Sequence, residues 1–78
     1  MAEAYVLITC EEGHEEKIIN ELTKINDILT TNRVRGAYNI LVKIKGETID
    51  TVIKTITSEI KTIDKIQYTV TLKVKHNS

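Results

Sequence analysis

The hydrophobic period changes along the chain in the order strand, helix, strand, strand, helix, strand. Ala4 to Cys10 (AYVLITC) is a short run of β-branched and aromatic residues closed by polar Glu11-Glu12-Gly13, which predicts a central strand buried on both faces. From Gly13 onward Ile18, Ile19, Leu22 and Ile25 form one helical stripe, with Glu15, Glu16, Glu21 and Lys24 on the outer face. Glu15 and Glu16 stand in the first turn, where the helix dipole favours acids. Leu29 to Arg35 and Tyr38 to Lys45 are strand-like runs separated by Gly36-Ala37, which predicts a two-residue β-hairpin with Gly36 at positive φ. Thr48 is a good N-cap for a second helix carrying Ile49, Val52, Ile53, Ile56 and Ile60 on one side. The last segment alternates, with Ile66, Tyr68, Val70, Leu72 and Val74 on one face and Gln67, Thr69, Thr71, Lys73 and Lys75 on the other.

The order β-α-β-β-α-β with tight connections, and helices of about four turns, predicts an α+β, ferredoxin-like sandwich. In it, two helices cover one face of a four-stranded antiparallel sheet. The other sheet face is left bare. The more apolar parity (Val6, Ile8, Ile40, Val42, Val70, Leu72) is expected under the helices, which leaves Tyr5, Leu7, Leu29, Leu41, Thr69 and Thr71 on the bare face. A patch with one Tyr and three Leu exceeds what a small monomer leaves in water. The expected cover is a second copy in an isologous dimer, a dimeric α+β barrel with Tyr5, Leu7, Leu29 and Leu41 at the interface.

Length and composition fit one small domain spanning residues 1–78: 41% hydrophobic residues, equal numbers of acids and bases, and no Pro, Trp or Phe. A chain this short buries only about 60% of its unfolded surface, so self-association is expected. No apolar run reaches the roughly 18 residues of a membrane span, and Met1 is followed by Ala2-Glu3-Ala4 rather than a signal peptide, so a cytoplasmic location without membrane contact is expected. A lone Cys10 gives no disulfide and no metal cluster, so neither metal nor cofactor is expected. Charge is uneven: residues 1–30 hold seven acids and two bases, a net −5, and residues 31–78 hold four acids and nine bases, a net +5. The bases are spaced singly along strands, and with three Tyr for stacking the chain lacks a nucleic-acid platform, so direct DNA binding is not expected.

Three stretches, AYVLITCEEGHEEKIINEL at 4 to 22, RGAYNILVKI at 35 to 44 and TVTLKV at 69 to 74, resemble the effector-binding (RAM) domain of the Lrp/AsnC transcriptional regulators over Ala4 to Lys75. The hairpin stretch is the most specific, since the family's Gly, variable residue, aromatic or apolar residue and Asp are matched by Gly36, Ala37, Tyr38 and Asn39. The chain departs at Asn39, a neutral amide where the family commonly has an acid, which removes a charge-assisted bond to a ligand ammonium. It also begins its first strand three residues after Met1, so no helix-turn-helix domain is expected and the chain looks like a stand-alone RAM domain. The resemblance implies sheet-mediated homodimers, their assembly into rings such as a tetramer of dimers, amino-acid effectors held between dimers, and action on transcription through full-length relatives. On that pattern Gly36, Ala37, Tyr38, Asn39, Thr69 and Thr71 are carried over as effector contacts.

Each of these residues also has a plain structural use. Gly36 suits a tight turn, Asn39 satisfies backbone groups near it, and Thr69 and Thr71 are good strand formers. Arg33, Arg35, Lys43 and Lys45 put four bases and no acid on the hairpin, a draw for anions or an edge protected against strand addition. Cys10 reads as a small core residue, and His14 among acids as solvated, so no catalytic residue is assigned and no enzyme is expected. The competing reading is a small α+β-barrel enzyme acting between two sheets, for which Tyr5, Asn39 and the threonines are the available polar groups.

Overall fold

A computed structural model describes residues 1–75, so the fraying expected of His76, Asn77 and Ser78 lies outside the described residues. The elements are β1 (Ala2–Cys10), α1 (Glu15–Leu22), β2 (Ile28–Arg33), β3 (Ile40–Gly46), α2 (Ile49–Thr55), a π-helical turn over Ile56–Ile60, and β4 (Ile66–Lys73). The strands form one antiparallel sheet in the order β2-β3-β1-β4, the ferredoxin-like arrangement that the sequence predicts. β1 is central because it pairs on one edge with β3 and on the other with β4.

Burial alternates strictly along β1 and β3, so each strand puts one face into the core and the other outward. This corrects the expectation that β1 is buried on both faces. The inward set, Ala4, Val6, Ile8, Ile40, Val42 and Ile44, packs against Ile18 and Leu22 of α1 and against Val52, Ile56 and Ile60 of the second helical segment. Each such aliphatic side chain contributes about 1.5–3 kcal/mol by leaving water, enough in sum to hold both helices on one side.

Both helical segments are shorter than expected. α1 has 8 residues, and α2 has 7 before a π turn of 5. Thr48 caps α2 as predicted, its hydroxyl accepting the Thr51 N–H at 3.1 Å. The chain widens to a π turn over Ile56–Ile60. Within and after it the Ser58 hydroxyl donates to the Lys54 carbonyl at 2.7 Å and the Thr62 hydroxyl to the Ser58 carbonyl at 3.0 Å. The Lys61 N–H then reaches the Ile56 carbonyl at 2.9 Å, five residues back.

The two-residue hairpin is also corrected. β2 ends at Arg33 and β3 begins at Ile40, so the connection is six residues, Val34 to Asn39, with Gly36 at φ +113°. The parity of the last strand is reversed relative to expectation. Tyr5 pairs with Leu72, Leu7 with Val70 and Thr9 with Tyr68, whereas Thr71 pairs with Val6 and Thr69 with Ile8. Directly opposed residues share a face, so Tyr68, Val70 and Leu72 lie on the open face and Thr69 and Thr71 on the helix side. The reason is that β4 is an edge strand, where half-buried threonines are tolerated beside Val6 and Ile8.

Candidate functional site

The Val34 to Asn39 loop folds back over the Cys10 end of β1, and Asn39 fastens it there. Its N–H donates to the Ile8 carbonyl at 2.8 Å, its carbonyl accepts the Val34 N–H at 2.9 Å, and its side-chain Oδ1 accepts the Cys10 N–H at 2.9 Å. The last bond fixes which end of the amide is oxygen, because a backbone N–H requires an acceptor. A longer contact runs from the Thr9 hydroxyl to the Ala37 carbonyl at 3.4 Å. Tyr38 meets Tyr68 edge to face, with ring centroids 6.2 Å apart at 71°.

The hairpin residues Gly36, Ala37, Tyr38 and Asn39 therefore stand together at one end of the sheet, joined by Thr9 and Tyr68. Thr69 and Thr71 stand on the opposite face. Sequence reasoning passed over Tyr68 because it placed that residue with the core-facing parity; the signal available was that Tyr68, Val70 and Leu72 make a more apolar set than an edge strand needs under a helix. Thr69 does share a cavity of about 240 Å³ with Tyr68, Gln67 and Lys61, at the start of β4.

The open face carries Tyr5, Leu7, Leu41, Val70 and Leu72 in adjacent pairs across three strands. Tyr68 and Leu72 are 53% and 50% exposed, far more than side chains of their size in a covered sheet. Leu29, also exposed, stands at a bulge between the Ile28–Ile44 and Thr30–Lys43 pairs. The four hairpin bases do not make one patch. Lys43 stands on the open face with its ammonium 5.6 Å from the Tyr5 ring centroid, a cation–π contact, whereas Arg33 pairs with Ile40 on the helix side.

Cys10 is buried at the strand end, and its thiol is pushed above its ordinary range first by that burial and then by Glu15, with Arg33 offsetting part of the rise. The thiol is held protonated, the weakly nucleophilic form. Glu15 is held below the usual carboxylate range, first by its own backbone N–H, then, against some desolvation, by the Gly13 N–H that meets its Oε1 at 2.9 Å. A larger groove of about 380 Å³ lies elsewhere, between α1 and the turn before β4, with His14, Lys17, Glu21, Glu59 and Lys65 on its walls. Among the described residues no three His, Cys, Asp or Glu side chains gather to hold a metal ion, and no helix is long and apolar enough to cross a membrane.

A family model for the Lrp/AsnC ligand binding domain matches residues 3–77. A sequence search of curated proteins finds no match. Among solved structures, the chain is similar to a hypothetical protein of Pyrococcus horikoshii, PHS023, at 25% identity, covering 99% of this chain and 93% of that one with a TM-score of 0.90. It is similar to E. coli AsnC at 25% identity and a TM-score of 0.90 over 97% of its length, and spans 52% of the AsnC chain. A transcriptional regulator of Neisseria meningitidis, NMB0573, solved as a complex with L-Met, shares the fold at 10% identity, with a TM-score of 0.86 over 96% of this chain and 50% of that one.

Proposed function

The chain belongs to the family of Lrp/AsnC ligand binding domains, and on that premise we propose that it is a non-enzymatic small-molecule sensor working as a homo-oligomer. The observation that carries this reading is the Val34 to Asn39 loop. It is fastened to the end of β1 by the Asn39 N–H and Oδ1 and closed on itself by the Asn39 carbonyl, which accepts the Val34 N–H, beside an aromatic pair and at the rim of an open apolar sheet face. A rigid loop at a rim is suited to read a ligand and pass its presence to an assembly, because any ligand that prefers one assembly shifts its population. In this reading Gly36, Ala37, Tyr38 and Asn39 contact an effector of amino-acid size, with Tyr68 taking the place beside them that was expected of Thr69 and Thr71. Two copies meet through the face that holds Tyr5, Leu7 and Leu41, with Leu29 at its margin. The dimers join further, and the output is exerted on full-length regulators of the family rather than on DNA directly. The L-Met complex of the meningococcal regulator supports amino-acid-sized ligands for this fold.

Native mass spectrometry with each amino acid, and with the corresponding α-keto acids, tests the proposal, since one spectrum reports assembly and bound mass together. An even-numbered assembly that gains one small molecule per subunit, or changes size on binding, is the expected result. A monomer indifferent to every compound would sink it.

A further inference from the structure

The groove of about 380 Å³ beside α1 has walls of both charge signs over an apolar bottom, which buried Ile18 and half-buried Ile63 supply. Several of its polar groups are already engaged. Glu21 pairs with Lys24 at 3.5 Å, Lys65 with Glu11 at 3.8 Å, and Asp64 Oδ1 accepts the Lys65 N–H at 3.0 Å. Among the described residues, Lys17 on α1 and Glu59 on the facing segment have no ion-pair partner, one cation and one anion. A ligand carrying only negative charge would meet three carboxylates here, and one carrying only positive charge would meet two ammonium groups. A ligand with both signs gains from both. Lys65 adds a second observation: at φ +74° it is the one residue other than glycine at positive φ among the described residues. Gly or Asn would adopt that backbone with less strain, and a Lys held there keeps a further cation on the groove wall.

We propose that this groove is a second ligand site, separate from the hairpin, and that it takes a free amino acid with a branched aliphatic side chain in its zwitterionic form. Glu59 receives the ammonium, Lys17 and Lys65 receive the carboxylate, and the side chain lies on Ile18 and Ile63. The end of β1 joins this groove to the hairpin. Its successive N–H groups point to opposite edges: the Cys10 N–H goes to Asn39 Oδ1 at 2.9 Å and the Glu11 N–H to the Lys65 carbonyl at 3.0 Å. A ligand that shifts the turn at Lys65 therefore reaches Asn39 through one peptide unit. The site itself is independent of the hairpin reading, whereas its use as a modulator of the effector rests on that reading.

The test is isothermal titration calorimetry of the intact protein with L-leucine, with 4-methylpentanoate, which lacks the ammonium, and with isopentylamine, which lacks the carboxylate. Leucine is expected to bind about tenfold or more tightly than either, the worth of one charge-assisted bond. Glu59→Gln changes an exposed side chain and should weaken leucine about tenfold while leaving 4-methylpentanoate no weaker. Lys65→Gly should raise the thermal midpoint and yet weaken leucine, a combination that a purely structural lysine would not give. Amide resonances of Cys10 and Asn39 should move on leucine binding in the unaltered protein and stay in Glu59→Gln. Leucine that does not bind, or binds no more tightly than its two analogues, overturns the groove site and leaves the hairpin reading standing. Leucine binding undiminished by Glu59→Gln but abolished by Tyr38→Ala assigns the ligand to the hairpin instead and overturns the proposal. Groove binding with the Cys10 and Asn39 resonances unmoved overturns the link to the hairpin.

Discussion

Asn39 is where the sequence and the structure say different things about one residue. Read along the chain, it is a neutral departure from a motif; in the fold, it is the clasp that holds the hairpin to β1. Asn39→Ala removes the acceptor of the half-buried Cys10 N–H and should cost about 1–3 kcal/mol in urea unfolding, while Asn39→Asp should stay within about 1 kcal/mol of the unaltered protein. Gly36 was legible as a positive-φ position, and its φ of +113° bears that out. An added Cβ there meets nothing within 4 Å, so the cost of Gly36→Ala is backbone strain alone, about 1–3 kcal/mol, readable as a lower thermal midpoint. Glu15 carries a pH consequence. Its folded pKa is depressed, so its contribution to stability is present above its ordinary value of 4.5 and is lost as pH falls through the folded value. Glu15→Gln should flatten the acid limb of a plot of urea midpoint against pH and leave the midpoint difference at neutral pH constant.

At the scale of elements, most of the architecture was written in period and punctuation. Thr48 before an apolar stripe marked the start of α2, and Thr48→Ala should cost about 1 kcal/mol in chemical unfolding. The shortened helices were not legible, because the apolar stripe continues past the point where the backbone widens from α to π spacing, at the Lys61 N–H to Ile56 carbonyl bond. Nor was the facing of β4. Alternation gives two parities but not which one meets the helices, and the rule that the more apolar parity goes inward fails when the outward face is itself apolar. Tyr68, Val70 and Leu72 follow the outward row begun by Tyr5 and Leu7, and this continuity across strands, rather than the apolarity of one strand, decides the face. The hairpin stretch was found as a unit, but its third partner, Tyr68, lies some thirty residues away and is brought in only by the β1–β4 register.

The molecule as a whole has a covered face that is complete and an open face that is unusually greasy for a chain of 78 residues. The dimer proposed above would lay a second copy on that open face. Leu72→Glu changes a half-exposed side chain that faces away from the helices, so the protomer should keep its helical circular dichroism while sedimentation velocity shifts from dimer to monomer. Covering the face would also strip water from Lys43, whose ammonium then relies on the Tyr5 ring. The groove of about 380 Å³ between α1 and the turn before β4 is the rival location for the effector. Backbone-resolved proton–nitrogen correlation NMR, with amino acids and α-keto acids added in turn, separates the two most directly. The account predicts that a bound effector moves the resonances of Arg35 to Asn39, Thr9 and Tyr68. Shifts confined to His14, Lys17, Glu21 and Glu59, with the hairpin unmoved, would contradict it.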